Sequence, residues 1–271
     1  MGAVSGRGDV APPPDVPVTY RLDLQYDGGG FHGWSKQPGL STVEGVLEDA
    51  LRVVTGERRR LTVAGRTDAG VHARRQVAGV LLVGPAAPER LAHSLNAVTP
   101  PALSIRRLSV ALPGFDARRD ATERVYRYFL DTRPSASPFL HRFVWSVAHD
   151  LDVEAMQAAA AMVRGRHDFS AFTPTETEHV FFHRTVIQCR WEMLDGLLAL
   201  TISADAFLRH MVRSLVGTMV EVGRGRRAPE EMAHLLEGAP RAAAGLTAPA
   251  HGLFLWDILY PDAGVPALHT G

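Results

Sequence analysis

The stretch Val63-Ala64-Gly65-Arg66-Thr67-Asp68-Ala69-Gly70-Val71-His72-Ala73 constrains this chain more than any other. Two glycines bracket an Arg, a Thr and an Asp, and apolar runs flank them at Leu61 to Ala64 and Val77 to Val83. That pattern predicts a tight loop held between packed elements, with Gly65 and Gly70 free to take backbone angles other residues resist. A carboxylate fixed beside a guanidinium stays ionised. An ionised, oriented Asp68 can serve as nucleophile, base or metal ligand. The plainer reading is an Asp that hydrogen-bonds its own turn backbone.

The chain around that loop alternates strand and helix patterns. Tyr20 to Tyr26 alternates apolar and polar residues, as a half-buried strand does. Ser41 with Glu44 reads as a capping box, ahead of a stripe of Val43, Val46, Leu47, Ala50, Leu51 and Val54 that Gly56 stops. Pro88 opens a second helix, and Ala102 to Leu112 reads as a strand. A looser repeat follows: a strand over Glu123 to Asp131, a helix capped by Asp152, and a loop over His167 to Glu178. Two strands then flank Asp195-Gly196, a hairpin signal. The longest helix is expected over Phe207 to Val222, with Arg209 and Arg213 on a shared face; Pro229 opens a short helix through Leu236, and Leu253 to Leu259 is a last strand.

The expected fold class is α/β (α+β): two similar subdomains, each a mainly antiparallel sheet with helices on one face, and a catalytic cleft between them. Residues 1–17 read as a disordered leader without signal-peptide features, 18–114 and 115–261 as the subdomains, and 262–271 as a tail. No apolar run approaches the ~20 residues of a membrane span, so the cytoplasm is the expected location.

Formal net charge is zero, which by itself argues against a nucleic-acid partner. The distribution argues otherwise. Lys36 is the sole lysine, and arginines cluster at Arg58 to Arg60, Arg74-Arg75, Arg106-Arg107, Arg118-Arg119 and Arg224, Arg226 and Arg227. Such clusters fit phosphate contacts or a solvated, acid-paired surface equally well. Cys189 excludes an internal disulfide and reads as a small buried hydrophobe on a strand. No phosphate-binding glycine loop, dinucleotide fingerprint or serine elbow is present. The pair His179 and His183 lacks an acidic or thiol partner at zinc spacing. The catalytic candidates reduce to Asp68, nearby arginines and aromatic residues.

Five segments together resemble the tRNA pseudouridine synthase A family. Gly65 to Ala73 looks like its catalytic motif; Tyr26-Asp27-Gly28 with Phe31-x-Gly33-Trp34, Phe115 to Arg118, Arg124 to Tyr128, and Phe207 to Arg213 with Gly252-Leu253 follow the family's order. Departures occur at Lys36, at Thr99 and at Arg119-Asp120, none at the presumed chemistry. The resemblance implies a cofactor-free, metal-free isomerisation of uridine to pseudouridine at tRNA positions 38, 39 and 40, in the anticodon stem-loop. It implies Asp68 as nucleophile, Arg66 in the space the flipped base vacates, Tyr126 stacking on that base, and Arg213 paired with Asp68. It also implies a homodimer. By sequence alone Tyr126 reads more readily as core than as a site residue, and Arg213 is as readily the partner of a structural carboxylate as of Asp68. Two rivals stand beside the enzyme: an inactive tRNA-binding or folding protein on the same scaffold, and a glycosidase-like use of Asp68 on a small nucleoside. The second lacks the paired carboxylate such chemistry needs.

Overall fold

The computed structural model describes residues 16–84, 86–177 and 180–261. The proposed leader up to Asp15, Glu178, His179 and the tail from Asp262 lie outside the described residues. The described residues form a mixed α/β structure with one ten-stranded, mainly antiparallel sheet.

The first part supplies β1 (Pro17–Tyr26), α1 (Val43–Thr55), β2 (Leu61–Val63), β3 (His72–Val83), α2 (Pro88–Val98) and β4 (Leu103–Val110). The second supplies β5 (Glu123–Asp131), β6 (Trp145–Ser146), α3 (Val153–Met162), β7 (Gly165–Asp168), β8 (His183–Leu194), β9 (Leu197–Ala204), α4 (Met211–Gly223), α5 (Glu231–Leu235) and β10 (Leu253–Leu259). Strand order is β4-β1-β3-β10-β5-β9-β8-β7, with β2 on β3 and β6 on β5. The last strand therefore sits at the seam. It runs parallel to β3, where Phe254 faces His72, and antiparallel to β5, where Leu255 faces Tyr126. Through β10, backbone hydrogen bonding continues across the two halves, and the loop after β2 meets the second half at that seam.

Alternation decides which residues face the helices. On β5 the even positions Arg124, Tyr126, Tyr128 and Leu130 are buried, while Val125, Arg127 and Phe129 are half-buried. On that buried face Tyr128 is in register with Leu200, and Leu200 with Trp191, whose Nε1–H donates to Met219 of α4. Nearly every residue of α4 is buried, Gly217 among them. A Cβ on Gly217 would fall 1.7 Å from the Leu246 carbonyl, so only glycine lets the 244–248 segment lie against the helix.

Several local expectations need correction. Helix α1 is capped by Thr42, whose Oγ1 accepts from Gly45 N–H; Ser41 is not the cap, and Glu44 instead accepts from Lys36 N–H. Thr42 carries the extended backbone an N-cap requires, and its hydroxyl reaches the third helical amide. The 167–178 segment is not all loop. Its start closes β7 against β8, because Phe169, Ala171 and Phe172 are fully buried and pull the backbone into the core. Helix α4 starts at Met211 rather than Phe207, so Arg209 shares no helix face with Arg213. The short helix begins two residues after Pro229. Pro17 belongs to β1, facing Val83. Cys189 is buried on β8, and burial pushes its thiol well above the ordinary range. Among the described residues no helix is long and apolar enough to cross a membrane.

Candidate active site

Asp68 sits on the loop from β2 to β3, and the sequence around it explains how that loop is held. Backbone amides of Trp34 and Gly70 bind it to the 28–34 turn: Trp34 N–H donates to Thr67 O (3.0 Å) and Gly70 N–H to Phe31 O (3.2 Å). The turn can lie that close only because it is glycine-rich. A Cβ on Gly28 would meet Val71 O at 2.0 Å, and one on Gly33, at φ 88°, would meet Thr67 O at 2.8 Å. Of the two glycines that bracket the loop, only Gly70 uses left-handed backbone, at φ 78°. Gly65 lies instead against Tyr126, where a Cβ would come within 3.7 Å of its hydroxyl.

A buried polar network fixes the loop from below. The Tyr26 hydroxyl is 2.8 Å from Thr67 Oγ1, and Gln76 Nε2 donates both to Tyr26 Oη (3.2 Å) and to Gly65 O (2.7 Å). Gln76 is fully buried, and burial raises the Tyr26 phenol to about 12, so this hydroxyl stays protonated. A satisfied buried network of this kind resists displacement, because an orphaned partner would cost ~1–3 kcal/mol. Asp68 is thereby presented on a rigid mount.

The second half supplies the opposing wall. Arg213, in the first turn of α4, directs Nη1 to Asp68 Oδ2 at 3.5 Å while its Nε donates to Ala248 O at 2.8 Å. The 244–248 strap thus sets the height of the guanidinium over the carboxylate. His210 Nε2 stands 3.7 Å from the same oxygen. Burial, the largest effect, pushes this imidazole below its ordinary value; Asp68 opposes the shift, and Arg213, Arg209 and Arg241 add to it. Tyr126 is buried on β5 and meets Phe207 edge-on at 5.0 Å between ring centres. Its phenol is driven far upward by burial first, then by Tyr26 and Asp68, so it is neutral.

Beside Tyr126 lies a residue that motif reading named only in passing. Arg124 is 8% exposed and spends its donors on four backbone carbonyls: Ala64 (3.0 Å), Ala121 (3.0 Å), Asp205 (2.8 Å) and Arg118 (2.6 Å). Ala64 precedes the Asp68 loop, Asp205 precedes the 206–213 segment, and Arg118 and Ala121 belong to the 116–122 loop. One guanidinium ties together three segments around the cleft.

These walls enclose a cleft of about 1460 Å³, lined among others by Trp34, Arg66, Asp68, Arg118, Tyr126 and Arg213. Four carboxylates line it, Asp68, Asp116 and Glu44 half-buried and Glu176 exposed, with neutral aromatic rings and five arginines: Arg66, Arg118, Arg124, Arg209 and Arg213. Arg66 has no hydrogen-bond or ion-pair partner among the described residues. The structure brings Asp68, Arg66, Tyr126 and Arg213 to one cleft, as the motifs imply. It does not bring the arginine clusters there. Of these only Arg118 lines the cleft; Arg59 pairs with Glu57, Arg75 with Asp257, Arg119 with Asp120 and Arg227 with Glu221, and Arg74 stacks on Trp256. Sequence reasoning did not name Gln76, and it named Tyr26, Arg124 and His210 only as members of longer motifs, with no role of their own. The usable signal was a polar residue at an inward position of a strand, as at Gln76 and Arg124. Among the described residues no three His, Cys, Asp or Glu side chains gather at metal-ligand spacing. His179 lies outside them.

Comparison with known proteins places this arrangement. A family model described as tRNA pseudouridine synthase matches residues 159–261, a span that contains His210 and Arg213. A protein named tRNA pseudouridine synthase A from Chlorobium chlorochromatii is 46% identical over 243 residues, covering 89% of this chain and 99% of that protein. One of the same name from Frankia casuarinae is 45% identical over 254 residues, 91% of each chain. One from Chloroflexus aurantiacus is 43% identical over 247 residues, 90% of this chain and 89% of its own. Among solved structures, a chain of a Cbf5-Nop10-Gar1 complex aligns with TM-score 0.34 and 12% identity over 74% of this chain and 45% of that one, a likeness too loose to bear on the fold.

Proposed function

The chain belongs to the tRNA pseudouridine synthase A family, and we propose that it isomerises uridine to pseudouridine at positions 38, 39 and 40 of the tRNA anticodon stem-loop with Asp68 as the nucleophile. The observation that carries this reading is the carboxylate of Asp68, held on a fixed loop 3.5 Å from Arg213 in a deep cleft beside the neutral ring of Tyr126.

The chemistry follows from those parts. The target uridine must leave the RNA stack, which costs a few kcal/mol. Arg66, which has no partner among the described residues, fills the space the base vacates, and Tyr126 receives the uracil ring. The ionised Asp68 forms a bond to the nucleoside, at C1′ of the ribose or at C6 of the base. The N1–C1′ bond breaks, the uracil turns within the cleft, C5 bonds to C1′, and the bond to Asp68 breaks, which returns the free carboxylate. C5 gives up its proton and N1 gains one, so the product is an isomer and no redox equivalent is consumed. Closed walls keep the freed base from escaping. Arg118 and Arg209, which line the same cleft, would meet the phosphates that flank the target. Since tRNA is the substrate, the cytoplasm is the place of action.

Tritium release from C5-labelled uridine in unmodified tRNA tests the reaction and the nucleophile together. The wild type should release label and Asp68→Ala none. Binding of tRNA without release by either would make the protein an inactive tRNA binder. Equal release by both would remove Asp68 from its role. The active species is taken to be a homodimer, with one tRNA crossing both subunits. Light scattering should give roughly twice the 29.4 kDa of one chain, and a species at that single-chain mass would remove the dimer.

A further inference from the structure

We propose that His210 is a second positioning donor for Asp68: with Arg213 it holds one carboxylate oxygen and leaves the other to form the bond to the uridine. This rests on Asp68 being the nucleophile. Both Arg213 Nη1 (3.5 Å) and His210 Nε2 (3.7 Å) approach Oδ2 of Asp68. Among the described residues Oδ1 accepts no hydrogen bond. The two oxygens are therefore not equivalent, and the unengaged one is available for attack.

The backbone supports the assignment. Met211 N–H donates to Leu208 O at 3.2 Å and closes a turn with His210 as its third residue, at φ 62° and ψ −1°. That position belongs by geometry to glycine or asparagine. Among the described residues only one other non-glycine residue, Asp195 in a hairpin turn, has positive φ. Glycine in place of His210 would relieve the turn, so the histidine is there for its ring. The turn ends where α4 begins, and it hangs the imidazole over Asp68.

Protonation state matters to this role. The groups that face His210 are Asp68 from the catalytic loop, Arg209 and Arg213 from its own turn and helix, and Arg241 from the 241–243 turn. Burial and the three arginines favour the neutral ring, and Asp68 the charged one; at 3.7 Å the contact is longer than a formed hydrogen bond, and a neutral ring serves Asp68 in the tautomer that carries its proton on Nε2. Below its pKa the ring becomes a cation that grips Oδ2 harder and weakens the nucleophile. The rate should therefore fall on the acid side as His210 protonates.

The test is single-turnover tritium release from tRNA between pH 5 and 8, with tRNA binding and the melting midpoint measured alongside. His210→Gly should melt at or above the wild type and bind tRNA within about twofold. It should react about 10–100-fold more slowly, the loss expected when reacting groups are misplaced. His210→Gln, whose amide N–H reaches toward the same oxygen, should recover several-fold of that loss. The wild-type acid limb should vanish in both variants. A His210→Gly rate within twofold of wild type, with the same pH profile, would overturn the proposal. So would a loss that His210→Gln fails to restore and that leaves the acid limb in place. The two readings fail separately. Asp68→Ala at the wild-type rate sinks the nucleophile and this inference with it, whereas an inert Asp68→Ala beside a fully active His210→Gly sinks this inference alone.

Discussion

Asp131 and Asp68 each face an arginine, and they are held in opposite ways. Asp131, at the end of β5, is fully buried, and Arg133 two residues on saturates it: Arg133 Nε and backbone N–H donate to Oδ1 (2.7 and 3.2 Å) and Nη2 to Oδ2 (2.7 Å). Asp68 is 24% exposed and meets Arg213, 145 residues away, through a single 3.5 Å contact. The first pair is local, short and complete. The second joins two halves of the chain and leaves bonding capacity unused. A carboxylate whose lone pairs are all engaged holds structure, whereas one kept in place with an oxygen to spare can react.

That contrast is sharpest where activity and stability are measured on the same variant. The Asp68→Ala protein that should lose the isomerisation should also melt within ~0.5 kcal/mol of wild type, because only the two long contacts to Arg213 and His210 are removed. A large stability loss there would put Asp68 in the same class as Asp131. Arg124 is the saturated counterpart among the arginines, with four carbonyls on one buried guanidinium. Arg124→Met should destabilise the fold by ~3 kcal/mol or more in urea denaturation, since buried acceptors lose their donors. It should also lower the isomerisation rate, because the loops that carry Asp68 and Phe207 lose their common tie. Full stability in Arg124→Met would show that water replaces the guanidinium and that no clamp exists.

The sequence carried the Asp68 loop plainly and its surroundings only in part. The Gly-bracketed Asp68 announced itself, and strict alternation placed β5 at its observed bounds, Glu123–Asp131. Asp152 was legible as a cap because a side-chain cap is a local event. The start of α4 was not, since Phe207 and Leu208 continue the apolar period of the helix and no glycine marks the turn at His210. The contact of Asp68 with Arg213 spans 145 residues, so no spacing rule could reach it, and only the resemblance to a known family brought the two together. Gln76 and Arg124 were hidden for the same reason: their partners are backbone carbonyls of distant loops. A single sheet with the last strand at its seam is likewise a long-range fact, invisible to patterns that see one strand at a time.

The smallest effect is the cleanest check on the comparison. Arg133 beside Asp131 holds that carboxyl down at about 2, chiefly through its side-chain hydrogen bonds and against the opposing effect of burial. A carboxylate whose folded pKa lies below its unfolded value, near 3.8 here, stabilises the fold above that value. The stabilisation is complete above about pH 4 and is lost as pH falls through about 2. Asp131→Asn keeps the shape and one acceptor but not the charge, so it should lower stability at pH 7 by ~1–2 kcal/mol. Below pH 2 the variant and the wild type should converge, because the wild-type carboxyl is then neutral as well. Activity per folded molecule should not change. A stability difference that stays constant from pH 7 to pH 2 would mean that the Arg133 contact contributes shape and not charge. The distinction between a saturated structural carboxylate and a spare reactive one would then have to rest on Asp68 alone.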